Sequence, residues 1–310
     1  MINIYLASPR GYCAGVHRAI NILNGALEKY KAPIFVNHEI IHNKIIVNYY
    51  IKKGIVFDDN LENIPDNGIM IFSAHGVSPE YVVEVKKRNI KYIDASCPLV
   101  IKVHTEAKKY LSEGYKIIYI GQKKHQEALG ILGEDKDNIC IVENKQDVDD
   151  LLSKINDAKL ALLTQTTLSV SDKDDLEKYI FNKFKNIEKP KASDICYATT
   201  NRQNAVKQML EQKDIDALII VGSSNSSNSN KLKNIGVKSG IKSILVDRFE
   251  DLDLNFLNGV NALGISSGAS VSRELVMDLI NNLKNIGAKY IGEIKVVEEK
   301  IDFAYDLELK

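Results

Sequence analysis

Three times along the chain, apolar residues in near alternation give way to apolar residues at helical spacing, and each time a cysteine marks the change. The segments are "INIYLASPRGYCAGVHRAINILNGALEKY", "KYIDASCPLVIKVHTEAKKYLSEG" and "KASDICYATTNRQNAVKQMLEQ". Alternation over a few residues predicts a strand, and 3.6-residue spacing predicts an amphipathic helix. Cys13, Cys97 and Cys196 should therefore each stand near a helix N-terminus, at equivalent positions of a repeat.

The stretch of chain after each of these units repeats as well. A second strand runs into a polar loop and another helix in "APIFVNHEIIHNKIIVNYYIKKG", "YKIIYIGQKKHQEALGILGE" and "DALIIVGSSNSSNSNKLKNIG". The loop residues His42, His125 and Ser226 lie 29, 28 and 30 positions after their cysteines, a constancy that chance does not readily give. A third strand is followed by acidic residues ("IVFDD", "ICIVEN", "SILVDRFED"), and a fourth ends in a further polar loop ("IMIFSAHGVSPE", "LALLTQTTLSVSD", "NALGISSGASVSRE"). Strands alternating with helices at these lengths predict an α/β fold of three small parallel-sheet units, related by a pseudo-threefold axis. The expected boundaries give a first unit over residues 1–93, a second over 94–193 and a third over 194–281, with 282–310 returning to the first. Open α/β sheets bind ligands at the carboxyl ends of their strands, and all nine polar loops are expected at such ends.

Composition narrows the function classes. Of 310 residues, 45% are apolar and 26% charged, as in ordinary soluble globular proteins. Lys plus Arg and Asp plus Glu each number 41, so the formal net charge is zero, and no broad electrostatic footprint for nucleic acid or an anionic membrane is expected. No apolar run approaches the roughly 20 residues that cross a bilayer, and the N-terminus lacks a charged n-region and long h-region. A soluble, unprocessed chain is the expectation. The four cysteines form no CxxC pair and no dense framework, which argues for reduced thiols in a reducing compartment.

Three convergent thiolates, each favoured over the thiol by a helix dipole and loop N–H groups, invite a soft metal. Three protein ligands with a fourth position open is the arrangement of a catalytic centre, and either a cubane iron–sulfur cluster or a zinc ion suits it. Gly11 and Gly15 around Cys13 allow the backbone close to something bulky, and Pro98 behind Cys97 fits a first helical turn. Cys140 differs. Its surroundings, "NICIVEN", alternate as a strand does, so this thiol reads as a small buried hydrophobe.

The second and fourth loops hold His42, His75, His125, Thr166, Thr167, Ser226, Ser227, Asn228 and Ser270. Donors gathered at equivalent positions beside helix N-termini are the chemistry of a phosphate or diphosphate cradle, although any single Ser or Thr would also serve as an N-cap. No Walker lysine motif is present. Glu127, two residues after His125, is a carboxyl among donors. Like charge from a bound diphosphate would raise its pKa and make it a proton donor at neutral pH. His17, His38 and His104 have no equivalents in the repeat, and for His17 and His104 solvent or core roles are expected.

Taken in order, "PRGYCAGVHRAI", "NHEIIHN", "FSAHGV", "DASCPLV", "GQKKHQEALG", "LTQTTLSV", "DICYATTNRQ", "GSSNSSNSN" and "SSGAS" resemble the 4-hydroxy-3-methylbut-2-enyl diphosphate reductase family, which performs the last step of the methylerythritol phosphate route to isoprenoids. The segments run from Pro9 to Ser270, nearly the whole chain. Departures are small: Tyr12 stands where Phe is usual, and Ser266 and Ser267 where Thr and Ala are common. Neither removes a needed chemical group.

The resemblance implies a [4Fe–4S] cluster held by Cys13, Cys97 and Cys196, at the centre of the three units, with a unique fourth iron that takes the substrate's hydroxyl oxygen. It also implies diphosphate binding by His42, His75, His125, Ser226, Ser227, Asn228 and Ser270, and a proton relay through Glu127 and Thr166. The implied reaction is reductive dehydroxylation: two electrons and two protons remove water from an allylic alcohol diphosphate and give isopentenyl and dimethylallyl diphosphates. With no flavin or nicotinamide fingerprint in the chain, electrons would come from an external donor of the ferredoxin or flavodoxin type. The expected location is a bacterial cytoplasm, or a plastid-type organelle. Some relatives carry an RNA-binding-type domain after the reductase, and none is expected here, since the chain ends forty residues beyond Ser270. Two other readings of the same residues stay open: a zinc-dependent hydrolase of a phosphorylated small molecule, and a non-enzymatic iron–sulfur sensor.

Overall fold

In the computed structural model, Cys13, Cys97 and Cys196 each stand immediately before a helix, as the apolar pattern predicts. Residues 1–31, 33–152, 155, 159–190 and 192–310 are described. The chain opens with β1 (Asn3–Ser8) and α1 (Ala14–Lys29), followed by β2 (Ile34–Val36), α2 (Lys44–Lys52), β3 (Val56–Phe57), β4 (Ile69–Phe72) and α3 (Pro79–Lys87). The next set comprises β5 (Lys91–Asp94), α4 (Pro98–Ser112), β6 (Lys116–Ile120), α5 (Gln126–Leu132), β7 (Ile139–Val142), α6 (Lys145–Leu152), β8 (Leu160–Thr164) and α7 (Val170–Lys183). The last is β9 (Ile187–Glu188), α8 (Tyr197–Gln212), β10 (Ala217–Val221), α9 (Ser227–Lys238), β11 (Lys242–Val246), β12 (Ala262–Ser267) and α10 (Arg273–Asn285), closed by β13 (Lys289–Lys295).

The strands form three parallel sheets, in the orders β11-β10-β12-β1-β13, β3-β2-β4-β5 and β7-β6-β8-β9. Sheet membership cuts across the segments drawn from the repeat. The strand that precedes a cysteine joins the sheet of another set: β5 pairs with β4 and β9 with β8, each of the set before, and β1 with β12 of the last set. Near the C-terminus, β13 pairs with β1, with a register shift between Ile4 and Tyr5. The third repeat also differs locally, because its strand is the two-residue β9 and "SDIC" is loop. There the Asp194 carboxylate accepts the Thr164 N–H at 2.9 Å, so a side chain takes the place of a ladder bond.

The chain divides into two compact units. One comprises residues 1–17, 41–49 and 197–302 and contains the first sheet; the other comprises 18–40, 50–196 and 303–310 and contains the second and third. In the first unit β10 is apolar without interruption because both its faces are covered. Ile219 and Val221 pack with Val276, Leu279 and Leu283 of α10, while Leu218 and Ile220 pack with Ala205, Val206 and Met209 of α8. The third sheet repeats this logic in the second unit: Ile118 and Ile120 face α6 and α7, and Ile117 and Tyr119 face α4 and α5. Each such aliphatic side chain contributes about 1.5–3 kcal/mol by leaving water. Cys140, on β7, packs at the edge of the Ile118 cluster, a core role. Among the described residues, no helix is long and apolar enough to cross a membrane.

Candidate active site

All sheets are parallel, so the loops that carry the chemistry leave the carboxyl ends of their strands. In the second unit, Cys97 is the N-cap residue of α4, with extended backbone (φ −62°, ψ 133°) and Pro98 in the first turn, where the missing proline N–H costs nothing. Its own N–H donates to the Ala74 carbonyl at 3.0 Å, which ties the cysteine loop to the loop of His75. The His75 ring lies edge-on to His125, 6.0 Å between centroids, and edge-on to His38 at 6.2 Å.

His125 caps α5: its Nδ1 accepts the Glu127 N–H at 3.2 Å. An accepting Nδ1 leaves the neutral ring's proton on Nε2, which makes Nε2 the donor. The cap also starts the helix so that Glu127 points inward. Glu127 is 3% exposed, and Thr166 holds both its oxygens, the amide donating to Oε2 and the hydroxyl to Oε1, each at 3.0 Å. Burial pushes the Glu127 carboxyl above the ordinary carboxylate range, against the pull of the two Thr166 hydrogen bonds. Cys196, immediately before α8, donates its N–H to the Thr166 carbonyl at 3.0 Å. Beside it Asp194 is pushed up to about 6 by burial, against the pull of the Thr164 N–H and the Lys102 ammonium. Gln165, fully buried, donates from Nε2 to Thr167 Oγ1 at 2.8 Å and fixes that hydroxyl.

The first unit gathers the remaining residues. Gly11 adopts φ +84°, a left-handed conformation that favours glycine, and turns the chain so that the Cys13 N–H reaches the Ala269 carbonyl at 3.2 Å. Ser270 donates from Oγ to the His42 carbonyl at 3.0 Å and accepts Asn43 Nδ2 at its own carbonyl at 2.7 Å, so the fourth loop and the His42 loop brace each other. Ser226 is the N-cap of α9, accepting the Ser229 N–H at Oγ, and Ser227 and Asn228 occupy the buried first turn. Both amide atoms of Asn228 are buried without a hydrogen-bond partner among the described residues. A buried amide in that state costs free energy unless something else satisfies it.

Each unit contains part of the sequence-derived set: Cys13, His42, Ser226, Ser227, Asn228 and Ser270 in one, and Cys97, Cys196, His75, His125, Glu127, Thr166 and Thr167 in the other. Exposed His17 and the His104 imidazole, which bonds Glu134 at 2.6 Å, stand outside these sets. The supporting residues Asn37, whose Oδ1 accepts the Ser73 N–H at 2.7 Å, Asn43 and Gln165 do not stand out in the sequence. Asn43 is accessible in principle, since it directly follows His42, whereas Gln165 acts on its near neighbour Thr167 from a fully buried position that a single loop sequence does not reveal. Within either unit, no three His, Cys, Asp or Glu side chains among the described residues form a group that could hold one metal ion. A cubane does not need such a group, because each thiolate binds a different iron. Half-buried thiols placed directly before α1, α4 and α8 suit iron as a donor set.

The LytB protein family model matches residues 4–284. Among curated relatives, 4-hydroxy-3-methylbut-2-enyl diphosphate reductase of Mannheimia succiniciproducens is 43% identical over 312 residues, covering 100% of this chain and 98% of the relative. The enzyme of the same name from Actinobacillus pleuropneumoniae is 42% identical with the same coverage. Among solved structures, the E-1-hydroxy-2-methyl-but-2-enyl-4-diphosphate reductase of Plasmodium falciparum superposes with a TM-score of 0.93 at 38% identity, over 98% of this chain and 95% of that one. A second structure, described as (E)-4-hydroxy-3-methyl-but-2-enyl diphosphate reductase, the terminal enzyme of the non-mevalonate pathway, gives 0.65 at 27% identity, over 92% and 100%.

Proposed function

The chain belongs to the LytB protein family, and from that membership we propose that it reduces 4-hydroxy-3-methylbut-2-enyl diphosphate to isopentenyl and dimethylallyl diphosphates, the terminal step of the non-mevalonate pathway. It is an oxidoreductase. In this reaction the allylic C–O bond breaks, two electrons and two protons enter, and water leaves. The electrons come from an external donor of the ferredoxin or flavodoxin type.

The observation that carries the reading is the buried Glu127 carboxyl with both oxygens on Thr166. Burial disfavours its charged form, so it keeps a proton to higher pH than an exposed glutamate would, and a bound diphosphate would reinforce that by like charge. The Thr166 hydroxyl can turn from donor to acceptor as the proton moves, which suits it to pass the proton to the departing hydroxyl. His42, His75, His125, Thr167, Ser226, Ser227, Asn228 and Ser270 supply donors for the diphosphate. The Nε2–H tautomer of His125 and the unpartnered amide of Asn228 support this role most directly. Binding energy at the diphosphate, remote from the reacting carbon, then orients the hydroxyl toward the acid. Cys13, Cys97 and Cys196 would hold a [4Fe–4S] cluster, which when bound supplies electron transfer and Lewis acidity toward the leaving oxygen.

The test is anaerobic incubation of purified protein with substrate and dithionite, with the products separated by chromatography. Both isopentenyl and dimethylallyl diphosphates should appear. Hydrolysis to the free alcohol, or binding of substrate with no reduction by cluster-loaded protein, would contradict the assignment.

A further inference from the structure

Each helix that begins after one of the three cysteines carries a cation about one and a half turns in: Arg18 on α1, five residues after Cys13; Lys102 on α4, five after Cys97; and Arg202 on α8, six after Cys196. Each holds the loop of a different cysteine. Arg18 donates from Nη1 to the Ser96 carbonyl at 2.9 Å and from Nη2 to the Asp94 carbonyl at 3.1 Å, the residues that lead into Cys97. Lys102 donates to Asp194 Oδ1 at 3.1 Å and to the Ala192 carbonyl at 3.5 Å, on the approach to Cys196. Arg202 donates from Nη2 to the Gly11 carbonyl at 2.7 Å, two residues before Cys13.

The order closes on itself: the helix after Cys13 holds Cys97, the helix after Cys97 holds Cys196, and the helix after Cys196 holds Cys13. Each contact lies within one of the two units. The grips are built rather than incidental. Arg202 has no exposed side-chain surface and its remaining charge meets Glu299 Oε1 at 3.1 Å, while Asp194 has 1% side-chain exposure. The third nitrogen of Arg18, Nε, donates to the Ala304 carbonyl at 3.1 Å, so all three guanidinium nitrogens donate. Gly11, in the left-handed region, donates its N–H to Ser267 Oγ at 3.2 Å, and the guanidinium on its carbonyl adds a charge-assisted hold on the same loop.

We propose that Arg18, Lys102 and Arg202 are positioning residues that order the three thiol loops in a closed cycle before the cluster is inserted. The proposal rests on the reading that Cys13, Cys97 and Cys196 hold the cluster. Its signature is displacement by one step: loss of a cation loosens the cysteine it grips, and leaves the cysteine at the start of its own helix ordered.

The experiment is site-resolved thiol alkylation in the reduced, cluster-free full chain, followed by mass spectrometry, together with iron per chain after anaerobic reconstitution. Arg18→Met should raise alkylation at Cys97, Lys102→Met at Cys196, and Arg202→Met at Cys13, each by about tenfold, the opening expected when a charge-assisted hydrogen bond is lost, with the other two cysteines within about twofold of wild type. Iron uptake should fall in each variant. Arg18→Lys and Arg202→Lys keep one charged grip and should restore most of the protection. Arg202 is deeply buried, so if Arg202→Met does not fold, Arg202→Lys and the two half-buried sites still decide the matter. A uniform rise at all three cysteines, a rise at the cysteine of the same helix, unchanged labelling, or unchanged iron uptake would each overturn the proposal. A wild-type chain that takes up no iron would overturn the functional reading, while the labelling pattern would still report on the grips themselves.

Discussion

Glu127 and Thr166 meet through two hydrogen bonds of equal length, amide to Oε2 and hydroxyl to Oε1 at 3.0 Å, so a single residue fixes both oxygens of a buried carboxyl. A carboxyl so held has one orientation. Glu127→Gln keeps the shape but supplies no proton at neutral pH. Turnover with a chemical reductant should fall by about 10²- to 10⁴-fold, the range for general acid catalysis, while substrate affinity stays near wild type. Near-normal turnover would require a different acid.

Thr166→Val retains the backbone N–H on Oε2 and removes only the hydroxyl on Oε1. The expected loss in turnover is milder, about tenfold, since one hydrogen bond to a neutral carboxyl is worth roughly a decade at most. Steady-state kinetics beside urea unfolding separates the roles: a purely structural hydroxyl would lower the unfolding midpoint and leave kcat alone.

The raised pKa of Glu127 carries a stability consequence with a definite sign. A carboxyl whose folded value lies above its unfolded value favours the fold fully below the unfolded pKa, and this contribution is lost as pH rises through the folded value. Glu127→Gln abolishes that titration. Its stability relative to wild type should therefore increase from pH 4 toward pH 8, read from urea midpoints at each pH. A relative stability that declines over this interval would show that the Thr166 hydrogen bonds, rather than burial, dominate.

Asn228 has a buried amide with no partner among the described residues, and a side chain in that state gives the fold nothing. Asn228→Ala should leave the thermal midpoint unchanged or slightly higher, and should weaken inorganic diphosphate binding by about tenfold or more in calorimetric titration. Lowered stability with unchanged affinity would assign the amide to the fold instead of the ligand.

Much of this organisation is legible in the sequence because the physics that fixes it is local. A switch from period two to period 3.6 marks where β1 ends and α1 begins, and the same switch recurs before α4. Partner choice is not legible. Asn3 pairs with Ala262 and with Lys289, and periodicity identifies a strand without saying which strand lies beside it. That is why β5 and β9 close sheets begun by earlier segments. His125 is visible as a ligand candidate, yet its capping of α5 is not, because histidine is not among the usual N-cap residues. Arg202 sits in a helix of low amphipathicity among polar neighbours, where a charged side chain ordinarily faces water, and its complete burial depends on the distant partners Gly11 and Glu299 as well as the nearby Ala198 carbonyl.

On the proposed function, Cys13, Cys97 and Cys196, and not Cys140, hold one iron–sulfur cluster. The most direct measurement is iron and acid-labile sulfide per chain after anaerobic purification, with the visible absorption spectrum, for wild type and the four single Cys→Ser variants. Wild type should carry about four irons and four sulfides per chain, with a broad brown absorption, as a [4Fe–4S] stoichiometry requires. Marked depletion is expected in Cys13→Ser, Cys97→Ser and Cys196→Ser, and a wild-type value in Cys140→Ser, whose thiol packs at the edge of a core cluster. Equal depletion in Cys140→Ser, or a colourless wild type that binds zinc in place of iron, would contradict it.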